Sequence, residues 1–163
     1  NNLVDGNLNT FSFEVPDRDN KKDKIYSSIN ILKNKDRVNV LKISKECKIV
    51  DSKNYANHKR YIKDLSSYKY NICPPGKGLD TSRFWESLIV KTIPVVKKSD
   101  FIENLNRFNI PMLILENWED LYDITENDLS SLYETYYTQL KENDFVKLEF
   151  WQDLINQSKL KMN

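Results

Sequence analysis

The residues best suited to chemistry are gathered in one stretch, Cys73-Pro74-Pro75-Gly76-Lys77-Gly78-Leu79-Asp80-Thr81-Ser82-Arg83-Phe84-Trp85-Glu86. It reads as a strand end, a glycine-bearing turn and the first turn of a helix. Two of the chain's three glycines, Gly76 and Gly78, fall here. Glycine permits positive φ and lets a backbone approach a ligand without a Cβ in the way. The helix start presents N–H groups lacking intrahelical partners and the positive end of its dipole. Together these features suit an anion just beyond the carboxyl end of a strand. Asp80 or Thr81 is placed to cap the helix, with Ser82 beside them. Arg83 can add a charge-assisted contact to a phosphate oxygen. Glu86, three residues on, can accept hydrogen bonds from ribose hydroxyls.

A plainer reading fits the same residues. A Pro-Gly turn followed by a capped helix is ordinary connection chemistry, and Arg83 with Glu86 can form a surface ion pair of small value. Known nucleotide motifs do not decide between the two. Gly76-Lys77-Gly78 lacks the spacing of a P-loop, and no third glycine completes a dinucleotide fingerprint. On pattern alone both readings stand.

The elements that must position this turn alternate along the chain. Asn1 to Lys24 is rich in Asn and Asp and reads as an arm or linker, with one short strand at Thr10–Val15; the domain proper is expected over 24–163. Lys24–Ile31 is a β-prone run, and Lys33–Lys45 a helix suggested by Val38, Leu41 and Lys42. Cys47–Val50 has strand length. Tyr55, His58, Tyr61, Ile62 and Leu65 recur at helical steps within Asn54–Ser67. Lys69–Cys73 predicts a strand, Thr81–Val90 a helix, Thr92–Val96 a strand, and Ser99 caps a helix running to Arg107. Ile110–Leu115 predicts another strand and Trp118–Leu121 a helical turn. Beyond Thr125 the pattern is helical, divided near Asn143. This alternation predicts an α/β fold: a Rossmann-like parallel sheet with helices on both faces and a helical C-terminus.

Composition narrows the function. With 25 Lys and Arg against 24 Asp and Glu, the chain lacks the basic excess of a nonspecific nucleic-acid binder. No apolar run approaches the ~20 residues of a membrane span. The start at Asn1 is expected to lie inside a longer gene product or after processing. The two cysteines, Cys47 and Cys73, fall in different predicted strands and are read as free thiols. A cytoplasmic setting is favoured on that ground, with a lumenal one open if a signal anchor lies elsewhere in the full-length product. The sequon Asn156-Gln157-Ser158 decides nothing, because such tripeptides arise by chance.

Other candidates default to structure. His58, the only histidine, would need a carboxylate partner and a cleft to serve as a base, and reads as packing or surface. Neither cysteine has metal-ligand spacing with it. Trp85, Trp118 and Trp151 can stack a base or sugar, but buried helix aromatics are the default. Leu132, Tyr133, Tyr136, Tyr137 and Leu140 form a helix face expected to pack inward, and Lys159–Lys161 a solvated end. No general base stands out.

The segment Tyr70 to Leu88, with Ile93-Pro94-Val95-Val96 after it, resembles the exostosin-like glycosyltransferases (family 47 and its microbial and viral relatives). Members read as a strand, a Pro-x-Gly-x-Gly turn, an Asp-[Thr/Cys/Ser]-x-Arg-x-Trp-Glu helix start, then Ile-Pro-[Ile/Val]. Lys24-Ile25-Tyr26 before Asp36-Arg37 is similar to the family's strand and arginine-opened helix, and Pro111 to Asp120 to its later strand and tryptophan section. The resemblance covers roughly Lys24 to Leu129. It implies the C-terminal, donor-binding half of a GT-B transferase acting on a nucleotide-diphosphate sugar and a glycan or glycoprotein acceptor. The reaction is expected to be inverting, with no metal or other cofactor. Carried over by position, Gly76 and Gly78 shape the diphosphate turn, Asp80, Thr81 and Ser82 line it, Arg83 stabilises the leaving diphosphate, and Glu86 holds the ribose. The acceptor and the base are expected from an N-terminal domain outside this chain. One position departs: the family's glycine after the helix is Lys91. The alternatives are a nucleotide-sugar-binding module without turnover and a structural α/β module.

Overall fold

The computed structural model describes residues 14–29, 35–55, 57–142 and 145–160. Five parallel strands form one sheet: β1 (Lys22–Ser27), β2 (Val50–Ser52), β3 (Tyr68–Ile72), β4 (Ile93–Lys97) and β5 (Leu113–Leu115). Their order is β2-β1-β3-β4-β5. Between them run α1 (Lys35–Glu46), α2 (His58–Leu65), α3 (Ser82–Ile89) and α4 (Asp100–Asn106); a 3-10 turn at Trp118–Tyr122 leads to α5 (Glu126–Glu142) and α6 (Leu148–Leu160). This is a Rossmann-like α/β fold. The chain leaves β1 toward β2 in one direction and then builds β3, β4 and β5 in the other. Right-handed crossovers therefore put α1 on one face and α2 and α3 on the opposite face.

Contacts agree with that division. Ser27 faces α1, whose Ser44 hydroxyl lies 3.0 Å from its own. Tyr70 reaches α5, donating to the Leu129 carbonyl at 2.8 Å. On the other face Tyr26 packs on Tyr61 of α2, and Asn71 Nδ2 donates to Ser87 Oγ of α3 at 2.9 Å. Because both faces are covered, β3 is buried throughout and shows no polar alternation.

Several elements differ from the expected bounds for local reasons. The second strand is Val50–Ser52, not Cys47–Val50, so Cys47 follows α1 and does not lie in a strand. Val38 is exposed; α1 buries Arg37, Val40, Ile43 and Ser44 instead. Helix α2 starts at His58 because the Asn57 side chain accepts from the N–H groups of Lys59 and Arg60. Ser99 caps α4 as expected, accepting from Ile102 N–H. Leu132 is exposed, while Leu129, Tyr133 and Leu140 carry the inward face of α5. Most of Thr10–Val15 and the side chains of Lys159–Lys161 lie outside the described residues.

Two lysines hold the end of the sheet where the strands begin. Lys21, expected in the arm, is 5% exposed and donates to Ser66 O at 2.6 Å and Val90 O at 2.8 Å, with Thr92 Oγ1 at 3.4 Å. Ser66 and Val90 are the C-caps of α2 and α3, so one ammonium serves two helix C-termini. Lys91 has φ 56°, the left-handed conformation that glycine adopts after a helix. Its N–H bonds Leu88 O and that of Thr92 bonds Ser87 O, the paired bonds of a Schellman ending. Helix α3 thus ends as it would with the family's glycine. Lys91 lies at the far end of the sheet from the glycine turn, held by Tyr133 OH on its carbonyl and by its own Nζ on Leu140 O.

Candidate functional site

The reversal of direction between β1 and β3 opens a crevice at their carboxyl ends, the usual ligand position in such sheets. Two guanidinium groups converge there. Arg37, in the first turn of α1, is 5% exposed and donates from Nε to Pro75 O at 2.9 Å. Arg83, in the first turn of α3, donates from Nε to Ser28 O at 3.1 Å, just past β1. Neither has a carboxylate partner among the described residues. Burial, and then the charge of Arg83, lower the pKa of Arg37. Two like charges held together form a site that an anion would stabilise.

The turn is shaped differently from expectation. Neither Gly76 nor Gly78 has positive φ, so their conformational freedom is not what the turn uses. Gly76 serves by lacking a side chain: a Cβ there would stand 3.0 Å from Arg37 Nη2. Around Gly78 the space is open except for Asp80 O at 3.9 Å. Thr81 occupies the N-cap position of α3 without a side-chain capping bond, and Asp80 instead accepts from Trp85 Nε1 at 2.7 Å. The first N–H groups of α3 are therefore not consumed by a side-chain cap.

Five of the seven expected site residues divide between two clefts, and Gly76 and Gly78 line neither of them. Ser82, Arg83 and Glu86 line one of about 250 Å³ together with Ser28, Tyr55, His58 and Tyr61. Asp80 and Thr81 line the other with Asp36, Cys73 and the segment after β4. The Arg83–Glu86 ion pair of the plainer reading does not form. Glu86, 9% exposed, lies 3.0 Å through Oε1 from His58 Nε2. His58 thus has both the carboxylate partner and the cleft that its helical pattern did not reveal. The Tyr61 hydroxyl is buried without a partner among the described residues, and burial followed by the Glu86 charge pushes its pKa well up. Cys73, beneath the turn, is buried, and its thiol is pushed up to about 12 by burial, which suits a core group and not a nucleophile.

Trp118 is fully buried, donating to Asp36 Oδ1, whereas Trp85 and Trp151 are half-buried and meet edge to face at 6.1 Å. Among the described residues no group of three or more metal-ligating side chains is found, and no helix is long and apolar enough to cross a membrane. Both cysteines are free thiols. Comparison with protein-family models and with curated proteins found no match.

Proposed function

We propose that this chain is the donor-binding part of a glycosyltransferase and that the crevice between β1 and β3 seats the diphosphate of a nucleotide sugar. The observation that carries this is the pair Arg37 and Arg83, drawn from two different helices and left without a carboxylate partner among the described residues. The anion must be compact and multiply charged to meet both, which favours a diphosphate over a carboxylate. Glu86, which lines one cleft with Arg83, supplies an acceptor suited to sugar hydroxyls. In the reaction Arg83 stabilises negative charge as the diphosphate departs, an electrostatic role that needs no metal. The resemblance to the exostosin-like pattern supports this reading and implies an inverting GT-B reaction in which this chain supplies the donor half and the acceptor is a glycan.

Calorimetric titration with uridine and guanosine diphosphates tests it. The wild type is expected to bind at least one, and Arg83→Ala to weaken that binding about 10- to 100-fold, the value of one lost charge-assisted hydrogen bond. If neither nucleotide binds, and Arg83→Ala alters stability alone, the chain is a structural α/β module. If a nucleotide binds but the full-length product neither hydrolyses nor transfers from a nucleotide sugar, it is a binding module without turnover.

A further inference from the structure

We propose that His58 is a positioning residue for sugar-diol recognition: it holds the Glu86 carboxylate so that Glu86 and Tyr61 together take a vicinal diol. This deepens the nucleotide reading and rests on it, the diol being that of the nucleotide ribose. Three features of the smaller cleft carry it.

The first is that Glu86 is a buried carboxylate with a single partner. Its side chain is 11% exposed, and His58 Nε2 on Oε1 is the only hydrogen bond it makes among the described residues. A carboxylate has about four acceptor positions, so one bond leaves most of its capacity open to a ligand in the cleft. The second is the Tyr61 hydroxyl, buried and without a partner among the described residues, on a residue that lines the same cleft and within the field of Glu86. A hydroxyl both donates and accepts, whereas an ionised carboxylate only accepts. Both residues line the cleft, so a vicinal diol can donate one hydroxyl to Glu86 and, once the sealed Tyr61 hydroxyl is uncovered, exchange a bond with it through the neighbour.

The third feature is the anchoring of His58. It is the first residue of α2, fixed by the Asn57 cap, and its ring rests on Tyr61 at 5.8 Å. The imidazole is mostly exposed, so packing does not account for its orientation. With Nε2–H committed to Glu86, the contact fixes both the tautomer and the carboxylate's rotation. Removing the imidazole leaves Glu86 free to turn, and the loss falls on whatever its second oxygen holds.

The test uses the diphosphate that binds and its 2′-deoxy counterpart, titrated into the wild type, His58→Phe, His58→Gln and Tyr61→Phe. The wild type is expected to prefer the ribonucleotide about tenfold, the worth of one hydrogen bond to a charged group. His58→Phe is expected to bring the ratio close to one. His58→Gln, whose amide can donate to Glu86 from the same place, should restore most of the preference, which a merely structural role would not predict. Tyr61→Phe, which meets the neighbouring hydroxyl present in both nucleotides, should weaken both about threefold and leave the ratio unchanged. A ratio unchanged in His58→Phe, with Arg83→Ala still weakening binding, overturns the role of His58 and leaves the nucleotide reading intact. Failure of every diphosphate to bind the wild type overturns both.

Discussion

The left-handed residue after α3 offers a sharp check on the backbone. A non-glycine residue in that conformation costs roughly 1 kcal/mol or more. Lys91 meets that cost with φ 56° and recovers part of it through Nζ on Leu140 O at 2.9 Å. Replacing Lys91 by Ala or by Gly removes the same side-chain bond, so the difference between the two variants isolates the backbone. Inside an ordinary helix Ala is the more stabilising by about 1 kcal/mol. Here the order should invert, with Lys91→Gly more stable than Lys91→Ala by about 1 kcal/mol, or about 3 °C in Tm for a chain of this size. Urea denaturation followed by far-UV circular dichroism measures it. Nucleotide affinity should be the same in both, because Lys91 lies at the end of the sheet opposite the crevice. If Lys91→Ala equals or exceeds Lys91→Gly in stability, the helix does not end in a Schellman motif and the argument fails. If affinity falls in either variant, the separation of this position from the site is wrong.

Lys21→Met should cost about 2–3 kcal/mol in denaturant melts, since the buried carbonyls Ser66 O and Val90 O lose their donor. Burial lowers the Lys21 pKa from 10.5 to about 7. Between those values the unfolded chain holds a proton that the native state has released, so wild-type stability should rise relative to Lys21→Met as pH increases from about 7 toward 10; a flat difference would refute it. A thiol reagent applied to the folded protein should leave Cys73 unmodified until denaturant is added, because its thiol is both buried and pushed up to about 12. Gly76→Ala should weaken diphosphate binding severalfold by crowding Arg37 Nη2, and should have little further effect when Arg37 is already Met, a coupling that a double-mutant cycle reads directly.

What was legible in the sequence follows the range of the interactions. Helix periodicity and apolar runs are local, so the alternation of elements and the parallel sheet emerged from them. The edge strand β2 was misplaced because two of its three residues are the polar pair Asp51 and Ser52, whose pairing is backbone to β1. The turn from Gly76 to Glu86 is contiguous and could be read as a unit. Arg37 and His58 join it from helices 46 and 28 residues earlier than Arg83 and Glu86 respectively, and no spacing rule links them. Lys21 sits in a charged stretch that looks like a solvated arm. Only the position of two helix ends in space makes it a core residue.

The three indoles stand at different depths, and that arrangement gives the molecule its own optical reporter. Trp118 is sealed in the interior, whereas Trp85 is tied to Asp80 in the very turn that faces the crevice. In a Trp151→Phe background, emission from the sealed indole follows global unfolding, while quenching of the other registers rearrangement at the mouth. Occupancy and integrity of the domain can thus be watched separately, without any attached dye.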